Sequence, residues 1–206
     1  MFRIFRENKL ILATHNEGKV EELRHLFGDV SFDLVPANKF DWVEPEENAN
    51  SFIGNALIKA RAASSLSGQV CLADDSGLCI ESLGGKPGIK SADWALNDLG
   101  KRDFNLAMTR IIALLKKEGS GPWHAFFKCA LILYWPDGHY EKFEGKIEGE
   151  IVWPGRGKNG HGYDPIFLPS GYKVTFGEMD RWEKNKISHR GKALEKLVKS
   201  CFSYDQ

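Results

Sequence analysis

The first half of the chain alternates two hydrophobic periods, and that alternation constrains the fold more than any other feature. Three apolar, strand-like segments, KLILA from Lys9, SFDLVP from Ser31 and QVCLA from Gln69, are separated by GKVEELRHLF and SFIGNALIKARAASSL. Both intervening stretches have helical periodicity, with Val20, Leu23, Leu26 and Phe27 on one face of the first and Ser51 as the expected N-cap of the second. Further on, DFNLAMTRIIALLKK is amphipathic, with Phe104, Met108, Ile111 and Leu115 along its inner stripe. The long segment from Trp123 to Trp153 reads as a hairpin turning at Pro136, Asp137 and Gly138. A glycine-rich loop, the short strand IFLP and a last helix, ISHRGKALEKLVKS with Ser188 as N-cap, complete the pattern. Alternating strands and helices followed by a hairpin predict an α/β fold on a mixed β-sheet rather than a purely parallel one.

The chain has 206 residues, enough for one sizeable α/β core or two small lobes. Lys+Arg 28 balance Asp+Glu 28, so no global field argues for nucleic acid or for an anionic membrane surface. Any anion binding must come from local clusters. The longest apolar run, ALILYW, is too short to span a bilayer, and the first residues interrupt their apolar content with Arg3, Arg6, Glu7 and Lys9. Cys71, Cys79, Cys129 and Cys201 form no CxxC pair and no His-paired metal spacing. These features predict a reduced, cytoplasmic protein with no membrane segment and no nucleic-acid partner.

The most informative short stretch is LADDSGLCI, residues 72–80, with two adjacent acids. On a strand, neighbouring side chains point to opposite faces, so Asp74 and Asp75 cannot share one task. Burial of either requires a cation or a hydrogen-bond network. The strand is expected to end at Asp74, with SGL turning the chain. Taken alone, DDSG fits a solvated turn in which Asp75 caps the bend. ATHNEGK, residues 13–19, runs from a strand into a helix start, where backbone N–H groups and Lys19 can cradle phosphate. An ordinary turn capped by Asn16 has the same residues. GRGKNG formally matches a dinucleotide fingerprint, but HGYDP follows where a helix would have to open. GGKPGIKS lacks the glycine a P-loop places before its lysine. Glu44, Glu46 and Glu47 precede the second helix, and carboxylates from that loop and from the strand could converge on Mg²⁺, which takes one or two of them plus phosphate oxygens. A solvated acidic loop would look the same. Lys184, His189 and Arg190 are basic residues near a helix start, where cations oppose the dipole unless an anion or base edge lies nearby.

Four blocks occur together: LATHNEGKVEEL, EENANSFIGNALIKARAA, LADDSGLCIESLGGKPGIKSA and GHGYDPIFLPSGYKVTFGEMDRWEKNKISHRGKAL. In order and spacing they resemble the inosine-triphosphate pyrophosphatase family over nearly the whole chain. The resemblance implies one α/β domain over 1–206, with an elongated mixed sheet flanked by helices, two lobes with a nucleotide cleft between them, and a homodimer. It implies that Thr14, His15, Asn16, Glu17, Gly18 and Lys19 form a triphosphate-binding loop. By the same resemblance Glu47 and Asp75 bind the metal, Mg²⁺, and Asp75 is also the proton acceptor. Ser76 contacts substrate, Asn55 and Lys59 assist with phosphates, and His161, Gly162, Tyr163 and Asp164 hold the base. Lys184, His189 and Arg190 contact base and phosphates. The chain departs from the family pattern in NANSF, in SADW, which puts Asp93 where a cation is expected, and at His161, which replaces a phenylalanine.

The implied activity is Mg²⁺-dependent hydrolysis of a purine nucleoside triphosphate substrate, with a deaminated base (ITP, dITP or XTP), to monophosphate and pyrophosphate. Asp75 is then expected to face the cleft and Asp74 to support it from the other face. Two other readings stand beside this one. The same cleft could hydrolyse modified pyrimidine triphosphates, or the fold could serve as a non-catalytic nucleotide-binding module; the presence of both Glu47 and Asp75 favours the enzyme.

Overall fold

Local chemistry sets most element boundaries in the computed structural model, which describes residues 1–28, 31–40 and 42–202, apart from the side chains of Glu17 and Asn38. Strand β1 (Lys9–Leu12) leads into helix α1 (Glu17–Phe27), whose N-cap Asn16 accepts from the Lys19 N–H. After β2 (Asp33–Pro36), helix α2 (Phe52–Ser67) starts at Ser51, whose hydroxyl accepts from the Gly54 N–H, and stops at left-handed Gly68. The expected cap at Ser51 is therefore observed.

Strand β3 (Cys71–Ile80) corrects one expectation. It does not end at Asp74; DSGLCI continues it for six more residues. Gly77 is a site of close approach rather than a turn, because a Cβ there would lie 2.2 Å from the Gly88 carbonyl oxygen and 2.5 Å from the Ser91 hydroxyl. That hydroxyl accepts from the Leu78 N–H and donates to the Gly88 carbonyl, so the strand is stitched to the turn after it. A two-residue strand, β4 (Lys86–Pro87), pairs back antiparallel on β3 inside the glycine-rich stretch.

Helix α3 (Phe104–Glu118) begins at Asp103, which accepts from the N–H groups of Asn105 and Leu106. Its predicted stripe is mostly buried at Met108, Ile111 and Leu115, while Phe104 is half-buried and meets Tyr163 edge-on at 5.3 Å. The hairpin consists of β5 (Trp123–Tyr134) and β6 (Tyr140–Ile151). Strand β7 (Phe167–Pro169) follows the glycine-rich loop, and a single 3-10 turn at Asp164–Ile166, not an α-helix, comes after GRGKNG. A short helix, α4 (Arg181–Ile187), capped by Asp180, precedes α5 (His189–Cys201) and was not anticipated from the sequence.

The described strands form a mixed seven-stranded sheet in the order β2-β1-β3-β5-β6-β7, with β4 also on β3, and five helices accompany it. Strand β1 is parallel to β2 and to β3, and β6 is antiparallel to β7. Two compact units divide the chain: Met1–Asp75, Cys129–Gly145 and Arg190–Gln206 in the first, Ser76–Lys128 and Lys146–His189 in the second. The first unit packs one core from Leu10, Leu12, Leu23, Leu131, Leu133 and Leu197 and another from Ile11, Trp42, Ala56, Ala60 and Ile132. The second packs Leu78, Ile80, Ile111, Leu115, Phe127 and Phe167. All four cysteines are buried free thiols, and burial pushes Cys71 and Cys129 up to about 12, which suits packing rather than reactivity. Among the described residues no helix is long and apolar enough to cross a membrane.

Candidate active site

In the first unit the two adjacent acids diverge as strand geometry requires. Asp74 is 2% exposed and takes the Lys19 ammonium at 2.9 Å and 3.1 Å on its two oxygens. It also accepts from Arg190 Nη2 at 3.0 Å. Burial alone would raise its pKa, but Lys19, Arg190 and Lys59 overcome that and hold the carboxyl well below the usual range. Arg190 reaches Glu22 with its other terminal nitrogen, so its planar fork joins α5 to α1 and β3.

Asp75 has a different environment. Its Oδ2 accepts from Asn55 Nδ2 at 3.1 Å, and the carboxyl is raised to about 6. Burial is the largest cause, Lys59 opposes it, and the Glu47 charge adds to it. Lys59 stands one turn after Asn55 on α2 and donates to Glu47 Oε1 at 3.0 Å. Asn55 Oδ1 also accepts from the Ala49 N–H, which ties the acidic loop to the helix. All three glutamates of that loop are exposed, and Glu47 is the one drawn to Lys59.

The strand–turn–helix at Thr14–Lys19 also lies in this unit. The Thr14 hydroxyl accepts from the Asn16 N–H at 3.1 Å, which shapes the turn. His15 is exposed and meets Trp42 edge-on at 4.9 Å, and Gly18 is the second residue of helix α1. The Glu17 side chain lies outside the described residues.

The remaining expected site residues belong to the second unit. Asp164 is 2% exposed, accepts from the His161 N–H at 2.8 Å, and receives the Lys184 ammonium at 2.5 Å. Lys184 Nζ also sits 5.4 Å from the centre of the Phe176 ring. Tyr163 donates its hydroxyl to the Ser91 carbonyl at 2.7 Å, and Gly162 lies between this anchor and His161. The His189 ring stacks on Phe127 at 4.9 Å and 11°. Ser76 is half-buried, and His161 and Asp93 are exposed.

The loop carrying these groups depends on Gly157, which has φ +84° and would place a Cβ 1.9 Å from the Gly177 carbonyl oxygen. That oxygen also accepts from the Asn159 N–H. Gly157→Ala therefore confronts backbone that cannot swing away, and it is expected to destabilise the protein by roughly 2–4 kcal/mol. Chemical denaturation measures this, and an unchanged midpoint would refute the close approach.

Sequence reasoning missed three contributors: Glu22, Phe127 and Phe176. Glu22 had a usable signal, since it lies three residues after Lys19 and so beside it on the helix surface. The two phenylalanines had none, because an aromatic residue in an apolar stretch reads as core.

Fold and geometry describe a mixed α/β protein with two divergent buried acids on one strand, each met by groups from neighbouring helices. Residues 10–200 match the Ham1 family, and the chain belongs to that family. It is 53% identical over 203 residues to the dITP/XTP pyrophosphatase of Ruegeria pomeroyi, covering 98% of this chain and 99% of that one. The dITP/XTP pyrophosphatase of Caulobacter vibrioides is 47% identical, with 94% and 98% covered. Among solved structures, a HAM1 protein from Coxiella burnetii matches at TM-score 0.86 and 35% identity over 94% of this chain and 98% of that one. A nucleoside-triphosphatase, or dITP/XTP pyrophosphatase, from Mycobacterium abscessus matches at 0.75 and 36%, over 92% and 98%.

Proposed function

We propose that this protein hydrolyses deaminated purine nucleoside triphosphates, ITP, dITP and XTP, to the monophosphate and pyrophosphate, with Mg²⁺. The chain is a nucleoside triphosphate pyrophosphatase, as its membership of the family and the names of its relatives indicate. The choice of base, the metal and the residue roles are the proposal. The observation that carries it is Asp75: a buried carboxyl held by Asn55, beside Glu47, with its pKa at about 6. A general base works best when its pKa lies near the operating pH.

The donor set fits the metal. Glu47 and Asp75 offer hard oxygen ligands, and their site already attracts one cation, the Lys59 ammonium. Two carboxylates are the protein share that Mg²⁺ commonly takes, with water and phosphate oxygens completing its shell. Glu47 and Asp75 would hold Mg²⁺, whose chemistry when bound is to neutralise phosphate oxygens and acidify a water. Asp75 then takes the proton from the water that attacks the α-phosphorus. The bond from that phosphorus to the bridging oxygen breaks, and pyrophosphate leaves. The Thr14–Lys19 turn, with Lys59, orients the phosphates so that the leaving oxygen is in line with attack.

Base recognition is assigned to His161, Gly162, Tyr163, Asp164, Lys184 and His189, supported by the anchoring of Lys184 on Asp164 and Phe176. A 6-keto oxygen accepts from an ammonium or a backbone N–H; adenine presents a donor there, and guanine adds an amino group to bury. Each mismatched buried polar group costs roughly 1–3 kcal/mol. ITP and XTP are therefore expected to exceed ATP and GTP in kcat/KM by at least about tenfold. A nucleotide panel with separate assays for pyrophosphate and orthophosphate tests this. Equal kcat/KM for ITP and ATP, stepwise release of orthophosphate, or full activity in excess chelator would each refute it. A homodimer in the cytoplasm is part of the same proposal, and sedimentation measures the assembly.

A further inference from the structure

Lys59 is placed unlike a surface lysine that waits for phosphate. Its side chain is 4% exposed, and the ammonium is spent on Glu47, whose own side chain is 33% exposed. Burial disfavours the charge, yet Asp74, Glu47 and Asp75 more than offset it, and the ammonium is held above its usual 10.5. The lysine is thus a fixed positive charge among the acids of the first unit, held by the same helix that holds Asp75 through Asn55. Two cations cannot both take Glu47 at contact distance without strong mutual repulsion.

We propose that Lys59 is a resident counter-ion that competes with the divalent metal for Glu47 and Asp75, so that metal loading depends on nucleotide. In the metal-free protein the ammonium balances the charge of Glu47, which it holds at 3.0 Å, and offsets part of the charge at Asp75. Phosphate oxygens offer that ammonium a second partner, and when it turns to them Glu47 is released for the metal. Metal and nucleotide then strengthen each other's binding by the same factor, as linkage requires. The inference rests on the proposed reading of Glu47 and Asp75 as metal ligands.

The test is Mn²⁺ binding to the full chain without nucleotide, followed by electron paramagnetic resonance. Removing the positive charge with Lys59→Met is expected to tighten Mn²⁺ binding by at least about tenfold, whereas Lys59→Arg stays close to the wild type. Glu47→Gln added to Lys59→Met should abolish the gain. In chelator Lys59→Met should melt below the wild type, and Mg²⁺ should raise its melting temperature by more. Lys59→Gln repeats the titration should the methionine variant fail to fold. Mn²⁺ binding that is equal or weaker in both neutral variants overturns the proposal, as does a gain that survives Glu47→Gln. Failure of the functional reading would show instead in the products and base preference of the nucleotide panel, which this titration does not use.

Discussion

Asp75→Asn is expected to lower kcat by at least about 100-fold and, in the absence of metal, to make the protein more stable at pH 8. The two effects have one origin. Burial raises the Asp75 carboxyl from 3.8 to about 6 in the folded chain. Between those values the folded state keeps a proton that the unfolded state has released. The associated stability is fully present below pH ~4 and is lost as pH rises through about 6. Above that window the charged carboxylate costs the fold roughly 3 kcal/mol, taking about 1.4 kcal/mol per unit. Asparagine retains an acceptor for Asn55 Nδ2 without carrying charge, so the variant should gain most at pH 7–8 and nothing below pH 4. Thermal melts across pH in chelator, beside steady-state kinetics with ITP and Mg²⁺, measure both. Asp74→Asn should behave oppositely, losing stability above pH 4 because Lys19 and Arg190 lose a charged partner. Its kcat should fall less. Equal kcat losses from the two changes would refute the division of labour between the faces of β3.

Arg190→Met is expected to cost about 3–5 kcal/mol of stability, the largest loss of any single substitution considered. The guanidinium is 3% exposed and bridges Glu22 and Asp74, so its removal strands a buried carboxylate at Glu22 and takes away one of the three cations that support Asp74. Lysine cannot reproduce the fork, and Arg190→Lys should recover only part of the loss. Glu22→Gln in the Arg190→Met background should restore stability relative to Arg190→Met alone, because the stranded charge is gone. Urea denaturation of the set measures the coupling, and additive losses would refute it. Arg190 was expected at base and phosphates; its donors to Glu22 and Asp74 support a positioning role for it within the first unit.

Periodicity made the regular elements legible. The stripes of α1 and α3, the Ser51 cap and the hairpin turn all follow from local spacing, which a single sequence carries in full. The course of β3 was not legible, because glycine after two acids signals a turn locally, whereas at Gly77 it permits the backbone of Gly88 to approach. Helix α4 escaped because its seven residues, capped by Asp180, are too few to show a period. At the site, the divergent surroundings of Asp74 and Asp75 follow from strand alternation alone. Their partners do not, since Arg190 lies 116 residues from Asp74 and 168 from Glu22. Nothing local encodes such a pairing.

The way the chain is apportioned between its two units bears on how it must fold. The first unit draws on three separated segments and includes residues 190–206. Its two inner acids therefore find their arginine only after the second unit's residues have been made. A ribosome-bound chain that has emerged as far as β6 already carries Glu22 and Asp74 but not Arg190, so Glu22 still lacks its cation and Asp74 has only Lys19 and Lys59 to draw on. Contacts of such long sequence separation close slowly. The second unit, a pair of insertions into the first, has its own apolar core by His189 and can collapse earlier. The order of maturation during synthesis is then the reverse of the order in which the units begin, with the acid-bearing unit sealed last by α5.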